Sequence, residues 1–468
     1  MKLISSILKP LGGVFGRAYE SAVTTGDRKE PSFVVADSRA ELSPTDRLKL
    51  ISRTRHLVRN HGFAREQVAS MEMYSVGDGI TPQATTASPE WNAAAEEFFK
   101  DFSRAPETSG RFTFGKLTRI VCRALDTDGE IFAVHTSAAG DPFPKLQMIE
   151  AHRCSGKFDA KERIFDGIRF GGNGAPEGYF FVDDNGEEHE IRAEFVTHVF
   201  VAERATDAHG VPQLQHATNT LIDARELFAI EKKGVKTINE LTFAIESARN
   251  ADDDTRSGDF VFGGETSEGT DPDAFKRQIG GGKFGKLLPG EKLHQIAADR
   301  PSPTFQGFLD YLFKDASLGN VPYEFVSDSS KIGGAGVRLI VGRASRVFAR
   351  RQQELIEMFL DPVWRWVIGW AIANGRLPAQ AGWDRAEWAC PKSVTVDAGR
   401  EAANDRADVA AGLISARDLF AQRGMRFDTE IRQIAKERAM KIALEKEYGL
   451  PSGTLSGNGK RITDNGFR

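Results

Sequence analysis

The fold is decided by residues 214–245, LQHATNTLIDARELFAIEKKGVKTINELTFAI. Apolar side chains recur on one side of this stretch at helical spacing, which predicts a long helix. Uninterrupted, the helix would be about 48 Å long at about 1.5 Å per residue. Gly234 costs it about 1 kcal/mol relative to alanine, so we expect a bend or an end there. The apolar positions are Leu214, Ala217, Leu221, Ala224, Leu227 and Phe228.

The composition changes after this helix, at residues 247–300. This segment contains aspartates at 252–254 and glycine runs at 263–264 and 280–282. Residues 304–318 then return to helical spacing. The pattern predicts a small insertion of loops and strands between two helices.

The chain before the long helix combines helical and strand periodicities. Ser43 and Pro44 supply an N-cap and a first helical position, which predicts a helix start. Residues 183–186, Asp-Asp-Asn-Gly, give the turn signal of a β-hairpin. Short strands with tight turns beside helices predict a mainly antiparallel sheet and therefore an α+β domain. Further helices are predicted at 62–73, 91–102 and 112–125, and strands at 130–135, 145–149, 164–170, 178–182 and 195–201.

The remainder of the chain is predicted to be mainly helical. Residues 327–336 are rich in serine and glycine, and residues 337–370 form a long helix that Pro362 is expected to break or kink. Helical stretches at 398–424 and 427–448 precede a polar tail.

Composition limits the possible functions. The chain has 468 residues, a net charge of −4 and a pI of about 6.2, which argues against a nucleic-acid-binding protein covered with lysine and arginine. Cys122, Cys154 and Cys390 lie far apart, which indicates reduced thiols and not a disulfide framework. No stretch approaches the roughly 20 apolar residues of a membrane span, and the N-terminal segment lacks the pattern of a signal peptide.

Motifs for catalysis are missing or incomplete. Residues 280–286, GGGKFGK, match a phosphate-binding loop only as far as the lysine. Leu287 replaces the magnesium-binding Ser or Thr, and Pro289 follows where a helix should begin. The histidines at 152, 189 and 198 lack the spacing and the further ligands of a metal site. We therefore expect no enzyme activity, no cofactor and no metal.

A series of short motifs runs through residues 45–445. The motifs are RTRHLVRN (53–60), GDGITP (77–82), DGEIF (128–132), LQMIEA (146–151), THVF (197–200), HGVP (209–212), LPGE (288–291), PYE (322–324), DPVW (361–364), VD (396–397) and GLIS (412–415). In this order they resemble the lambda-type bacteriophage portal proteins. The chain departs from the family pattern at His209 and Ala398, where arginine and proline are typical. Residues 331–338 keep only the arginine of a further motif.

The resemblance implies the architecture of a phage portal: an α+β wing, long stem helices, an inserted clip and a helical C-terminal crown, assembled into a ring. The loop-and-strand insertion between two helices agrees with the clip of this plan. The implied segments are an N-terminal arm (1–40), the wing (41–212), the first stem helix (213–246), the clip (247–303), the second stem helix (304–326), the tunnel loop (327–337), the long helix and its return to the wing (338–394), the crown (395–448) and a mobile tail (449–468).

The resemblance also implies a function without catalysis. Twelve subunits would form a ring that conducts viral double-stranded DNA during packaging and ejection. The large terminase subunit and later the head-completion or tail adaptor proteins would dock on the clip, and the wing would meet the major capsid and scaffold proteins. The ring would occupy the portal vertex of a virion assembled in the host bacterial cytoplasm. The residues implied for docking on the clip are Phe260, Phe262, Lys283 and Lys286.

Weak, non-specific DNA contacts are expected in and after the tunnel loop, because strong phosphate contacts would hold the DNA in place. An alternative interpretation is open: Arg343, Arg346 and Arg350 recur on one helical face and could form a solvated surface, with Arg350 paired to Glu354. The residues implied for the channel are Ser329, Ser330, Lys331, Ile332, Gly333, Gly334, Arg338 and Arg343.

Two other interpretations remain open at the level of sequence. The first is a different phage structural adaptor, which the size of the oligomer would distinguish from a portal. The second is an enzyme whose site is assembled from residues without a motif, for which a nucleotide- or metal-dependent thermal shift would be diagnostic. The sequence does not separate a virulent phage from a prophage or a gene transfer agent.

Overall fold

A computed structural model gives the chain a mixed fold of helices and antiparallel sheets, as the α+β prediction requires. The structure describes residues 37–455, except positions 139, 241–242, 248–290, 296–302, 328–332, 393, 395, 397, 424, 426 and 452. None of the helices within these ranges is both long and apolar enough to cross a bilayer.

The N-terminal region is built mainly from helices with polar caps. Hydroxyl groups of Ser43, Ser88 and Thr113 each accept a hydrogen bond from a backbone N–H in the first turn of the following helix, as the sequence pattern predicts for Ser43. The elements are α1 (Ser38–Glu41), α2 (Pro44–Asn60), α3 (Gly62–Ser75), β1 (Thr81–Ala84), α4 (Pro89–Phe102) and α5 (Phe114–Thr127).

Two antiparallel sheets follow. The first has the order β3-β2-β8, and the second is a meander with the order β4-β5-β6-β7. The turn between β6 and β7 contains Gly186 at φ 83°, which confirms the hairpin predicted from residues 183–186. The strands are β2 (Glu130–Thr136), β3 (Lys145–Glu150), β4 (Ile164–Phe165), β5 (Ile168–Phe170), β6 (Pro176–Val182), β7 (Glu188–Arg192) and β8 (Val196–Phe200).

The C-terminal half is dominated by long helices and returns to the N-terminal region, because β11 pairs antiparallel with β1. Its elements are α6 (Gln215–Glu240), β9 (Phe243–Ser247), β10 (Glu291–Gln295), α7 (Pro303–Ala316), α8 (Tyr323–Val326), α9 (Gly334–Leu355), a π-helical turn (Ile356–Leu360), α10 (Asp361–Ala373), β11 (Ala386–Ala389), α11 (Ala398–Ala410), α12 (Ala416–Gln422) and α13 (Phe427–Glu447).

The largest core cluster joins the two halves of the chain. Phe99 of α4 contacts Trp364 of α10 with ring centroids 5.3 Å apart, and Phe114 of α5 stacks on Phe359 of the π turn at 5.6 Å. All four side chains are buried. Burial of one such aromatic side chain contributes about 1.5–3 kcal/mol, so this cluster fixes α9 and α10 against the N-terminal helices.

The two helices that flank the insertion end at other residues than predicted. The first helix continues through Gly234 and ends at Glu240, because one glycine costs only about 1 kcal/mol. Residues 243–246, assigned to the stem helix from the sequence, form part of a strand that pairs with β10. The second helix ends at Ala316, since Gly319 at φ 82° and Pro322 interrupt the predicted range 304–326.

The long helix also starts and bends at other positions than expected. It begins at Gly334, so the last four residues of the predicted tunnel loop are helical. Pro362 does not end it; the chain instead forms a π-helical turn over Ile356–Leu360 and continues as α10. A proline ring clashes with the carbonyl of the fourth residue before it, here Met358, and the wider π turn gives the ring room. The predicted helix 398–424 is divided at Gly412, which has φ 73°.

Candidate functional site

Two helices on either side of the insertion form the first part of the site. α6 and α7 pack against each other, and Thr220 donates a hydrogen bond to Asp315 across the pair at 3.3 Å. At the insertion, β9 and β10 pair antiparallel from Phe243–Gln295 to Ser247–Glu291. The predicted insertion therefore leaves the helix pair through a two-stranded ladder. The four residues predicted for docking, at 260, 262, 283 and 286, lie outside the described residues.

The bases of these helices are anchored to the N-terminal helices. Leu214, just before α6, and Leu221 of α6 are buried with Leu57 and Val68 of the N-terminal helices. Gln67 donates a hydrogen bond to the carbonyl oxygen of Val321 at 2.9 Å. Farther from the base, apolar side chains are left at the surface. These exposed side chains are Phe228 and Ile230 of α6 and Phe308 and Tyr311 of α7.

A buried charge cluster lies where the sheets meet the segment before α6. We define it as Arg47, Glu130, Asp166, His198 and His209. Glu130 is fully buried and accepts hydrogen bonds from His198 Nε2 at 2.9 Å and His209 Nδ1 at 3.0 Å. The backbone N–H of Gly210 donates to it at 3.0 Å and Arg47 Nη1 at 3.3 Å. Both carboxylate oxygens of Glu130 are thus fully used.

Arg47 of α2 is the second centre of this cluster. Its Nε and Nη2 donate to the two carboxylate oxygens of Asp166 at 2.7 and 3.1 Å, which is the bidentate geometry of a strong ion pair. Its remaining donors reach the carbonyl oxygens of Ala151 at 3.0 Å and Cys154 at 3.3 Å. A buried charge is tolerated only when it is paired and hydrogen-bonded in this way.

Backbone packing brings the members of the cluster together. A Cβ atom on Gly129 would lie 2.4 Å from the carbonyl carbon of Val211, and one on Gly210 would lie 2.1 Å from the carbonyl oxygen of Gly129. Only glycine fits at both positions. The DGEIF motif therefore packs directly on the HGVP motif, and Glu130 and His209 are brought face to face.

The protonation states follow from burial and charge. Burial alone raises the pKa of Glu130, but the facing His209 and the hydrogen bonds from both histidines lower it well below its usual range. Burial lowers the pKa of His198 against the opposing effect of Glu130. Burial also raises the pKa of the Cys154 thiol and the Tyr179 hydroxyl, so both stay neutral. In the interior, Glu130 is therefore charged, and His198, Cys154 and Tyr179 are neutral.

The cluster was not predicted, because its members are far apart in the sequence. Glu130, His198 and His209 offer ligand atoms within 4.8 Å of one another, which is a spacing that a metal ion accepts. The oxygens of Glu130 are already occupied by N–H donors, and the guanidinium of Arg47 stands where it would repel a cation. An ion-pair network therefore explains the geometry better than a metal site. The motifs DGEIF, THVF and HGVP contain Glu130, His198 and His209, and this is the only signal of the cluster in the sequence.

A second buried ion pair fixes the long helix. Arg351 of α9 donates from Nη2 to Asp126 of α5 at 2.8 Å, and from Nη1 to the carbonyl oxygen of Cys122 at 3.1 Å. Its Nε also donates to Glu354 at 3.0 Å. Burial raises the pKa of Asp126, although the facing Arg351 favours its charged form. This pair attaches the C-terminal end of α9 to the N-terminal helices.

The exposed side of α9 carries a row of arginines, which we call the arginine face. It comprises Arg338, Arg343, Arg346 and Arg350, all of them exposed, and it borders a shallow groove with Leu339, Gly342 and Val347. Arg350 pairs with Glu354 at 3.5 Å, as the alternative interpretation predicts. Of the predicted channel residues, Gly333 is the N-cap of α9, and Gly334, Arg338 and Arg343 lie within the helix. Positions 329–332 are outside the described residues.

Solved structures with a similar fold come from the necks of virus-like particles called GTA particles. A chain in "Neck of native GTA particle computed with C12 symmetry" aligns with a TM-score of 0.50 and 16% identity, covering 82% of this chain and 94% of that chain. A chain in "Neck of empty GTA particle computed with C6 symmetry" aligns with a TM-score of 0.50 and 16% identity, covering 80% and 93%. GTA stands for gene transfer agent. At this identity the likeness concerns the fold alone: the chain has the fold of proteins found in such necks.

The family follows from the sequence match. The model of the family "Phage portal protein, lambda family" matches residues 32–352, which is more than half of the chain. The chain therefore belongs to the lambda family of phage portal proteins, and the resemblance seen in its motifs is confirmed. It is a portal, or connector, protein, and family membership indicates a structural role. No curated protein matches the sequence significantly.

Proposed function

We propose that twelve copies of this chain form a ring at the portal vertex of a virion, through which double-stranded DNA is packaged and ejected. The observation that carries the ring is the set of exposed apolar side chains on α6 and α7. Phe228 and Tyr311 are 56% and 67% exposed in the single chain. Exposed apolar patches of this kind are typical of interfaces, and head-to-tail contacts that close by rotation produce rings. The C12 symmetry stated for one related neck supports twelve copies.

In this proposal α6 and α7 are the stem helices and residues 247–303 are the clip. The antiparallel β9–β10 ladder supports this assignment, because it holds the two ends of the insertion together at the far end of the helix pair. The large terminase subunit and later the head-completion or tail adaptor proteins would dock on the clip through residues including 260, 262, 283 and 286. The remaining α+β region would be the wing that meets the major capsid and scaffold proteins. Assembly would take place in the host bacterial cytoplasm.

The start of α9 and the segment before it would face the channel. Exposed Arg338 and Arg343, together with Lys331 and its neighbours, would make weak contacts with phosphates. The overall charge of −4 supports a conduit, because a strongly basic wall would bind DNA tightly and in a salt-dependent manner.

The oligomeric state tests the proposal. Negative-stain imaging and native mass spectrometry of the purified chain are expected to show rings with a central channel and a mass of twelve times the subunit mass of 51.5 kDa. The double variant Phe308→Ser and Tyr311→Ser should shift the mass toward single subunits, because it removes the apolar contact between copies. Phe158→Ser, an exposed phenylalanine outside α6 and α7, serves as the control and should leave rings intact.

Two results would contradict this assignment. If the double variant assembles as well as the wild type, α6 and α7 do not form the interface. If the wild type stays a monomer or dimer at every salt and protein concentration, also with its scaffold protein present, a different kind of adaptor becomes the better explanation.

A further inference from the structure

The pair of helices α6 and α7 has two sides, and the N-terminal helices pack on one of them. Leu221 of α6 is buried with Leu57 of α2, and Phe313 of α7 packs on Phe63 of α3 with ring centroids 5.1 Å apart. We call the side of the pair that carries Leu221 and Phe313 the front face, and the opposite side the back face. Because α6 continues beyond this contact to Glu240, the front face also extends beyond the N-terminal helices.

Exposed aromatic side chains lie on both faces of the pair. An α-helix turns by about 100° per residue, so residues seven positions apart lie on the same side. Phe228 follows Leu221 by this distance and is therefore on the front face. Phe308 and Tyr311 are about 140° and about 160° around α7 from Phe313, which places them on the back face. All three side chains are at least half exposed in the single chain.

The front face carries a positive charge near these aromatic groups. Arg225 follows Leu221 by about one turn, and its side chain is exposed. Burial and then the charge of Arg225 lower the pKa of His61, which lies between α2 and α3. This effect on a residue of the N-terminal helices agrees with the position of Arg225 on the front face.

The back face carries negative charges at a similar height. Asp223 and Glu226 are exposed and lie about 160° and about 140° around α6 from Leu221. Lys233 also turns toward the back face, but it lies about 10 Å farther along α6 than Glu226. At the height of Arg225 the two faces of the pair therefore have opposite charges.

The aromatic side chains of the two faces also lie at matching heights. α6 runs toward the insertion and α7 returns from it, and the hydrogen bond between Thr220 and Asp315 at 3.3 Å defines a common level. At about 1.5 Å per residue, Phe228 lies about 12 Å beyond this level and Phe308 about 10 Å beyond it. Rotation about a ring axis leaves the height along that axis unchanged. If the helices run along the axis, Phe228 of one copy therefore meets Phe308 of the next.

We propose that the front face of the helix pair in one copy of this chain docks on the back face of the pair in the next copy. Phe228 packs against Phe308 and Tyr311 of the next copy, and Arg225 approaches Asp223 and Glu226 of the next copy. A contact between two front faces or between two back faces would bring like charges together, which is unfavourable. The inference rests on the proposed ring and names the residues that join its subunits.

Disulfide cross-linking within assembled rings tests which residues meet. Two double variants, Phe228→Cys with Phe308→Cys and Phe228→Cys with Tyr311→Cys, would be oxidised with copper phenanthroline and separated on denaturing gels. A disulfide needs Cβ atoms within about 4.5 Å of each other, so the bands report direct neighbours. We expect a ladder of bands from dimers upward in at least one double variant. The three single-cysteine variants should stay single subunits, as should the wild type, whose own cysteines are buried or half-buried.

A charge exchange tests the ionic part of the contact without new cysteines. Arg225→Glu and Asp223→Arg each place like charges in the interface, and each should raise the protein concentration at which half of the chains form rings by about tenfold. The combined variant restores opposite charges at every interface and should assemble like the wild type. Salt at about 1 M should reduce the effect of the single variants, because it screens exposed charges. Glu187→Arg, in the exposed turn between β6 and β7, is the control and should assemble like the wild type.

The results separate this contact from the ring itself. Rings that give no ladder in either double variant would overturn the front-to-back contact and leave the ring in place, as would dimers in a single-cysteine variant. A combined charge variant that assembles as poorly as Arg225→Glu alone would overturn the pairing of Arg225 with Asp223, provided that the melting temperatures show both variants to be folded. A wild type that forms no ring would contradict both the proposed function and the contact.

Discussion

The buried charge cluster and the arginine face use the same kinds of side chain in opposite ways. Arg47 is 1% exposed and donates to the buried acceptors Asp166 and Ala151, whereas Arg343 and Arg346 are exposed along α9. Charges of the first kind fix how elements meet, because leaving one unpaired in the interior is costly. Charges of the second kind contribute little to folding and are available for a partner. Substitutions in the two regions should therefore separate stability from binding.

The largest loss of stability is expected at Glu130. Glu130→Gln keeps the shape but removes the negative charge that Arg47 and His209 face, and its amide group turns an N–H toward other donors. We expect about 3–5 kcal/mol less free energy of unfolding, measured by urea denaturation. Glu150→Gln removes an exposed carboxylate that pairs with Arg55, and it should cost less than about 1 kcal/mol. Equal losses in the two variants would refute a structural role for the cluster.

A smaller loss is expected where α9 meets α5. Arg351→Met breaks the buried pair with Asp126 but replaces the arginine with an apolar side chain of similar length. Because burial raises the pKa of Asp126, this carboxyl can take up a proton once its partner is gone, which reduces the cost to about 3 kcal/mol. The neighbouring Arg350→Met, on the exposed side, is the matched control and should change stability by less than about 0.5 kcal/mol. Equal free energies of unfolding for the two variants would contradict a structural role for the pair of Arg351 and Asp126.

The buried charge cluster and the arginine face also differ in how well the sequence predicts them. Helix periodicity, the N-cap at Ser43 and the turn at 183–186 indicate most elements correctly, because local hydrogen bonds and one apolar face determine them. Positions of the arginine face follow directly from helical spacing. Family membership was recognisable from the order of the motifs, although each one is short.

The buried charge cluster could not be predicted in the same way. Arg47, Glu130 and His209 come from α2, β2 and the loop before α6, which are separated by long stretches of sequence. The packing of Gly129 on Gly210 brings Glu130 and His209 together, and no local pattern indicates that contact. The strand at Phe243–Ser247 was missed for a related reason. Its partner β10 lies beyond the insertion, and the helical pattern before it carries no signal of that pairing.

The smallest effect on stability is expected on the arginine face, in Arg343→Ala combined with Arg346→Ala. These side chains are exposed, so the free energy of unfolding should change by less than about 0.5 kcal/mol. Binding to double-stranded DNA, followed as a function of salt, should weaken, and the slope of log K against log salt should fall by about two if each arginine meets one phosphate. Arg365→Ala, an exposed arginine of α10 that pairs with Asp361, is the control and should leave the slope unchanged. An unchanged slope in the double variant would instead favour the interpretation of these arginines as a solvated surface. The arginine face and the buried charge cluster would then differ only in their effect on the free energy of unfolding.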